Sequence, residues 1–140
     1  MSRSGYTDDC EDNWAMIRWR GVVASATRGK RGQQFFRELL EALDAMPVKR
    51  LIADNLVCEG EFCTLGVLGA KRDIEMTDLD PDDSERVAQA FNIAECLAQE
   101  VVFMNDEAAH WRETPEQRFA RMREWVAKQI KQSVAEAVGA

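Results

Sequence analysis

The sequence predicts a mainly α fold: a single helical domain of five or six helices with one small β-hairpin. An α+β arrangement and a helix bundle without any hairpin are the alternatives. Three observations lead there. Residues 33–46 carry one apolar stripe at helical spacing. Thr114-Pro115-Glu116-Gln117 is a helix-start signature ahead of a second periodic stretch. The run from Glu59 to Gly69 reads as a turn at Glu59-Gly60, a few residues of strand, then a short helix opening near Cys63. Gly66 and Gly69 weaken that helix by roughly 1 kcal/mol each relative to Ala. A helix that accepts such a loss needs close backbone approach to a neighbour, so this segment is expected to be the buried hub.

Size and composition fit that class. The chain has 140 residues, with 46% hydrophobic and 31% charged. That length suits one domain spanning 1–140 and a core that needs no metal or disulfide staples. No apolar run approaches the ~18 residues of a membrane span, so no membrane partner is expected. The start of the chain has no apolar signal region. The expected location is the cytoplasm.

Residues 1–12 are polar and expected to fray. The first helix is expected to start at Asp12 or Asn13, either a good N-cap. It runs through Trp14, Ile17, Trp19, Val22, Val23 and Ala26. Apolar residues fall on most of its sides, which predicts thorough burial. Gly21, Ala24 and Ser25 offer a small-residue face for another helix. Arg28-Gly29-Lys30-Arg31-Gly32 is read as a loop that breaks the helix with two glycines.

The second helix, 33–46, places Phe35, Phe36, Leu39, Leu40 and Leu43 on one stripe, and Pro47 stops it. Residues 50–58 read as extended and pair with Glu61–Cys63 in the hairpin. The Gly-containing helix covers 64–72. Asp80-Pro81 predicts the next start, with Asp80 as cap, a helix bearing Val87, Ala88 and Phe91, and Asn92 as its end. Ala94 to Met104 forms another, closed by Asn105-Asp106-Glu107. The last helix buries Phe119, Met122, Val126, Ile130 and Val134, with Trp125 flanking the core.

The net charge of −7 argues against a general nucleic-acid coat. The charge is uneven, however. Asp8, Asp9, Glu11 and Asp12 form an acidic lead-in. Residues 13–37 hold six bases and no acid, and residues 73–85 hold seven acids and no base. A dipolar molecule is expected. Of the four cysteines, Cys10, Cys58, Cys63 and Cys96, Cys58 and Cys63 are close enough to face each other across the hairpin. Free buried thiols are the main reading. A zinc site wants four ligands in two close pairs, and only one close pair and one histidine, His110, are present.

Ser4-Gly5-Tyr6-Thr7-Asp8-Asp9 with Trp14, Ile17-Arg18-Trp19-Arg20-Gly21 and Arg28-Gly29-Lys30-Arg31-Gly32-Gln33 form one set of motifs. Cys63 with Gly66, Asn105-Asp106-Glu107, and Glu113-Thr114-Pro115-Glu116 before a helix containing Trp125 form another. Together they resemble a group of small proteins of unknown activity from bacteriophages and prophages of Gram-negative bacteria. The resemblance covers nearly the whole chain. Asp73 and Asn92 stand where glycine is expected. What the likeness implies is context: a phage-borne accessory protein acting inside a bacterium.

The candidate chemistry is sparse. Arg18, Arg20, Arg28, Lys30 and Arg31 could contact an anion or a nucleic acid, with Arg28, Lys30 and Arg31 clustered at a helix end. Glycines there give freedom to wrap a phosphate, and the start of the second helix adds a positive dipole. The bland reading is a solvated loop whose cations complement a helix C-terminus or pair with the acidic 73–85 segment. Cys63 at a helix start is a candidate reactive thiol, with His110 as the only imidazole to serve it; the bland reading is a small buried residue at a tight turn. Asn105, Asp106 and Glu107 could ligate a hard metal, although a helix end explains them as well. Trp111 and Trp125 are candidate interface aromatics. No triad, metal quartet or phosphate cradle is complete, so neither catalysis nor a cofactor is expected. The expected role is non-catalytic binding of a host or phage macromolecule, most readily a protein, in a form that interferes with a host process such as defence. Nucleic-acid binding through the basic segment is the alternative, and a cysteine-dependent enzyme centred on Cys63 the third.

Overall fold

A computed structural model describes residues 13–109 and 112–131. Among these run α1 (Asn13–Arg28), α2 (Lys30–Asp44), β1 (Val57–Cys58), β2 (Glu61–Phe62), α3 (Thr64–Lys71), α4 (Ser84–Phe91), α5 (Glu95–Asp106) and α6 (Pro115–Gln129). The fold is mainly α with one small hairpin, as the sequence predicts. The readings placed on residues 1–12, His110, Trp111 and Val134 lie outside the described residues.

α2 is the axis of the molecule. Its stripe puts Phe35, Phe36, Leu39 and Leu43 in full burial, each worth about 1.5–3 kcal/mol as an upper bound. Phe36 meets Phe35 edge-on at 5.2 Å and Trp125 edge-on at 5.6 Å. Trp125 thus flanks the core, as expected. α2 packs against α1, α3 and α6, while α5 packs against α1, α3, α4 and α6. It ends at Asp44, two residues short of the expected stop. Lys49 folds back so that its ammonium donates to the Asp44 carbonyl (2.7 Å) and to that of Leu43 (3.2 Å), which also accepts from Met46 N.

The hairpin pairs Cys58 with Glu61 and Val57 with Phe62. Glu59 (φ 51°) and Gly60 (φ 79°) are both left-handed, as a two-residue hairpin turn of the primed kind demands. Residues 50–56 are extended only in part. Ile52 N still donates to Phe62 O (2.9 Å), which lays this stretch along the outer side of β2.

α3 is buried from Thr64 to Gly69. A Cβ on Gly66 would stand 1.9 Å from Leu56 O, and one on Gly69 2.2 Å from Met76 Sδ. The glycines therefore permit the close approach the sequence calls for. α4 starts later than Asp80 suggests. Asp80 instead makes a turn, accepting from Asp82 N (2.8 Å), and Asp83 is the cap, accepting from Arg86 N (3.3 Å). A run of acids offers several competing caps, and the one nearest the apolar stripe wins. Asn92 ends α4 in the left-handed region (φ 56°) and Asp73 follows α3 in the same conformation (φ 57°). Both serve without glycine.

α6 opens with the full capping box, Thr114 accepting from Gln117 N (3.1 Å) and Gln117 accepting from Thr114 N (2.9 Å). Glu113 sits just before it with a side chain only 9% exposed, 2.6 Å from Arg121 and 3.3 Å from Arg118. Arg121 also donates to Met104 O and Asn105 O, the carbonyl end of α5. The bonds from Arg121 hold the Glu113 carboxyl below its ordinary range.

α1 departs most from expectation. Val23 and Thr27 are buried, but Trp14 is 69%, Ile17 55% and Val22 53% exposed. Apolar residues on every side of a helix cannot all be covered when neighbours flank only one side. Among the described residues only α2 and α5 make extensive contact with α1. Gly21 and Ser25 of the small-residue face are exposed as well, with nothing among the described residues within 4 Å of a Cβ on Gly21, while Ala24 is half-buried. The expected basic loop shrinks to one residue, Gly29. Lys30 and Arg31 form the first turn of α2. Gly32 lies inside that helix, where a Cβ would stand 2.0 Å from Ala26 O. Buried Gln33 ties the corner together. Its amide donates to Thr27 O (2.7 Å) and Gln129 O (2.9 Å), and its oxygen accepts from Lys131 N (2.7 Å).

Candidate functional site

Arg18, Arg20, Arg28, Lys30 and Arg31 are all exposed. They do not form one patch. Arg18 and Arg20 are two residues apart, about 200° around α1. Arg28, Lys30 and Arg31 do gather at the α1–α2 corner. Gly29 caps α2 without a side-chain bond. The carbonyls of Ala26 and Thr27 lie against Gly32, so the negative end of α1 abuts the positive end of α2. Arg31 lines a surface hollow that Glu85 and Glu95 also line, which places part of the acidic segment beside it.

Cys63 is the N-cap of α3, and its Sγ accepts from Gly66 N at 3.4 Å. It is buried. Burial pushes the thiol up to about 12, against the opposing pull of the Gly66 amide. A thiol in that state holds its proton at neutral pH, whereas the thiolate is the nucleophilic form. Cys58 is exposed while Cys63 is buried, and both are free thiols. Burial raises Cys96 in the same direction.

Asn105 is structural. Its Oδ1 accepts from Thr64 N (3.0 Å) and Thr64 Oγ1 (2.7 Å), and its amide donates to Ile52 O (2.9 Å) and Asp106 Oδ1 (2.6 Å). All four bonding positions of the side chain are used. Asn105 and Asp106 belong to α5 rather than closing it, and Asn105 joins that helix to the start of α3 and to the strand-like segment. The metal reading gives way to this polar staple, buried to 2% exposure.

Two surfaces among the described residues expose large apolar side chains. The first is a groove of about 460 Å3 between the C-terminal end of α2, the segment after it, β2 and α3. Ala42, Met46, Val48, Phe62, Val67 and Ala70 supply apolar walls, and Val48 is 59% exposed. Arg50 and Lys71 border it. Arg50 pairs with Glu61 (3.0 Å) and Glu116 (3.4 Å), and Lys71 with Glu41 (3.3 Å). The volume is within the range of about 300–1,000 Å3 typical of binding pockets. Sequence reasoning missed it, because its walls come from three separated segments. The one local signal was an apolar Met46-Pro47-Val48 run continuing past the end of α2.

The second surface is the open side of α1. Trp14, Ile17, Arg18, Gly21, Val22, Ser25 and Arg28 follow at i, i+3, i+4, i+7, i+8, i+11 and i+14, the spacing of one helical face. Comparison with known proteins returns no match to a family model, a curated protein or a solved structure.

Proposed function

We propose that the protein is a non-catalytic binding protein that seats an apolar side chain of a partner protein in the groove between α2, β2 and α3. The observation that carries this is the groove itself, with an apolar floor and ion pairs along its border. An apolar centre ringed by polar groups is the usual anatomy of a protein interface, with a large apolar residue as anchor. The buried, protonated Cys63 supports binding over thiol chemistry. The resemblance to phage and prophage proteins supplies the context of this reading: an accessory protein in the cytoplasm of a bacterial host, acting on a host or phage protein, with interference in host defence as the form to look for.

The experiment is capture from bacterial lysate after nuclease treatment, with a photoreactive side chain at Val48. A defined protein crosslinked through an apolar residue, and lost on Ala70→Glu, is the expected result. Ala70 is exposed on the groove wall, so a carboxylate there blocks the groove without entering the core.

A second reading is nucleic-acid binding through Arg18, Arg20, Arg28, Lys30 and Arg31. It is favoured by the exposure of all five. Capture that disappears with nuclease, and on changing Arg28, Lys30 and Arg31 to Ala, would replace the first reading with this one. Affinity would then fall with salt at a log–log slope of about −0.9 per phosphate contact on duplex DNA.

A further inference from the structure

We infer that the open face of α1 is a second docking surface, independent of the groove, and that its partner is an acidic amphipathic helix of another protein. The apolar part of this face is large. Trp14, Ile17 and Val22 are each more than half exposed and lie around Gly21. Isolated exposed apolar residues are ordinary, but three on one helix face form a patch. Gly21 lies between Ile17 and Val22 around the helix, and nothing among the described residues stands within 4 Å of a Cβ there, which lets a second helix approach closely. A helix meets such a face along a line of apolar residues at i, i+3, i+4 and i+7.

The charge names the chemistry of the partner. Residues 13–28 hold Arg18, Arg20 and Arg28 and no acid. Arg18 and Arg28 share the face with the apolar residues, and neither forms an ion pair among the described residues. They are ten residues apart, about 15 Å along the helix. A partner helix with carboxylates ten or eleven residues apart would meet both, with its apolar seam over Gly21 between them. Arg–carboxylate pairs with two parallel bonds fix register as well as sign. A second copy of α1 would match the apolar residues but supply no carboxylate to Arg18 or Arg28. Nucleic acid has no use for Ile17 and Val22 beside its phosphates. A lipid surface is a poor fit because Arg18 lies inside the apolar stripe, between Trp14 and Val22 around the helix, rather than along its margin.

The test uses the full chain and three probes: a labelled helical peptide with a Leu/Ala seam and two Glu ten residues apart, the same peptide with Lys for Glu, and a DNA duplex of similar length. Fluorescence anisotropy reads the binding. The acidic peptide is expected to bind at least tenfold tighter than the lysine peptide. Arg18→Glu with Arg28→Glu should reverse that preference. Gly21→Leu should weaken the acidic peptide at least tenfold, while circular dichroism shows an unchanged or higher melting temperature, because the added side chain meets nothing in the fold. Ala70→Glu should leave peptide binding unchanged, which separates this surface from the groove. No binding of the acidic peptide, equal binding of both peptides, or indifference to Gly21→Leu overturns the inference. So does a duplex that binds where the peptide does not, or a dimer in sedimentation that Gly21→Leu dissociates.

Discussion

α3 and α1 carry the same signal in sequence and meet opposite surroundings. Each sets glycine among apolar residues inside a helix, at a cost relative to alanine. In α3 the space above the glycines is filled by the Leu56 carbonyl and by Met76. In α1 the space above Gly21 is open, and Trp14, Ile17 and Val22 stand exposed around it. The contrast separates two ideas that sequence reading merges. A small-residue face on a helix predicts a close neighbour. It does not say that the neighbour belongs to the same chain.

The covered side of the comparison breaks most sharply at Gly66. A Cβ there would stand 1.9 Å from Leu56 O and 2.9 Å from the carbonyl carbon. Both are backbone atoms, so no rotamer change relieves the clash. Gly66→Ala is expected to cost at least about 3 kcal/mol, read by urea denaturation. A loss under about 1 kcal/mol would mean that α3 is free to move away from the hairpin, and the contrast with α1 would dissolve.

The clamp between α5 and α6 sharpens the same side. Glu113 holds Arg121 and Arg118, and Arg121 in turn closes the carbonyl end of α5. Glu113→Gln is expected to cost about 2 kcal/mol at pH 7. The sign with pH follows from the lowered carboxyl. A depressed group stabilises fully above its unfolded value of 4.5, and that contribution fades as pH falls through the folded value. The gap between wild type and Glu113→Gln should therefore hold from neutral pH to about 4.5 and narrow below it. A gap that stays constant to pH 3 would show that packing, not charge, is what the substitution removes. Glu38 beside Arg72 and Asp44 beside Arg123 shift the same way, so only the difference between the two proteins isolates Glu113.

The elements legible in the sequence were those with one local cause. The stripe of α2, the capping box at Thr114, the turn at Glu59-Gly60 and the glycine approach in α3 each rest on neighbours in sequence, and each appears in the structure. What failed depended on distant parts. The burial of α1 depends on how many helices flank it, and its apolar residues point in all directions regardless. The cap of α4 was ambiguous because four acids compete within 80–85. Asn105 looked like part of a polar turn, since its partners, Thr64 and Ile52, lie more than forty residues away. The groove is the extreme case, built from three segments of which none looks like a site alone. The gathering of Arg28, Lys30 and Arg31 at a helix end was legible in the sequence, but the placing of Lys30 and Arg31 in the first turn of α2 rather than in a loop was not.

The open side of the comparison gives the smallest effect and the most direct check. Gly21 lies in the interior of α1 and its missing Cβ would touch nothing among the described residues within 4 Å. Alanine there gains helix propensity and loses no contact, so Gly21→Ala is expected to stabilise by about 0.5–1 kcal/mol. In a domain of this size that raises the melting temperature by about 2–4 °C. The same change at Gly66 moves stability the other way and by more. Opposite signs for one substitution at two helix glycines are what the contrast between α3 and α1 requires. If Gly21→Ala lowers the melting temperature, something in the free protein already lies against that face. The surface proposed for an acidic helix would then be occupied from within.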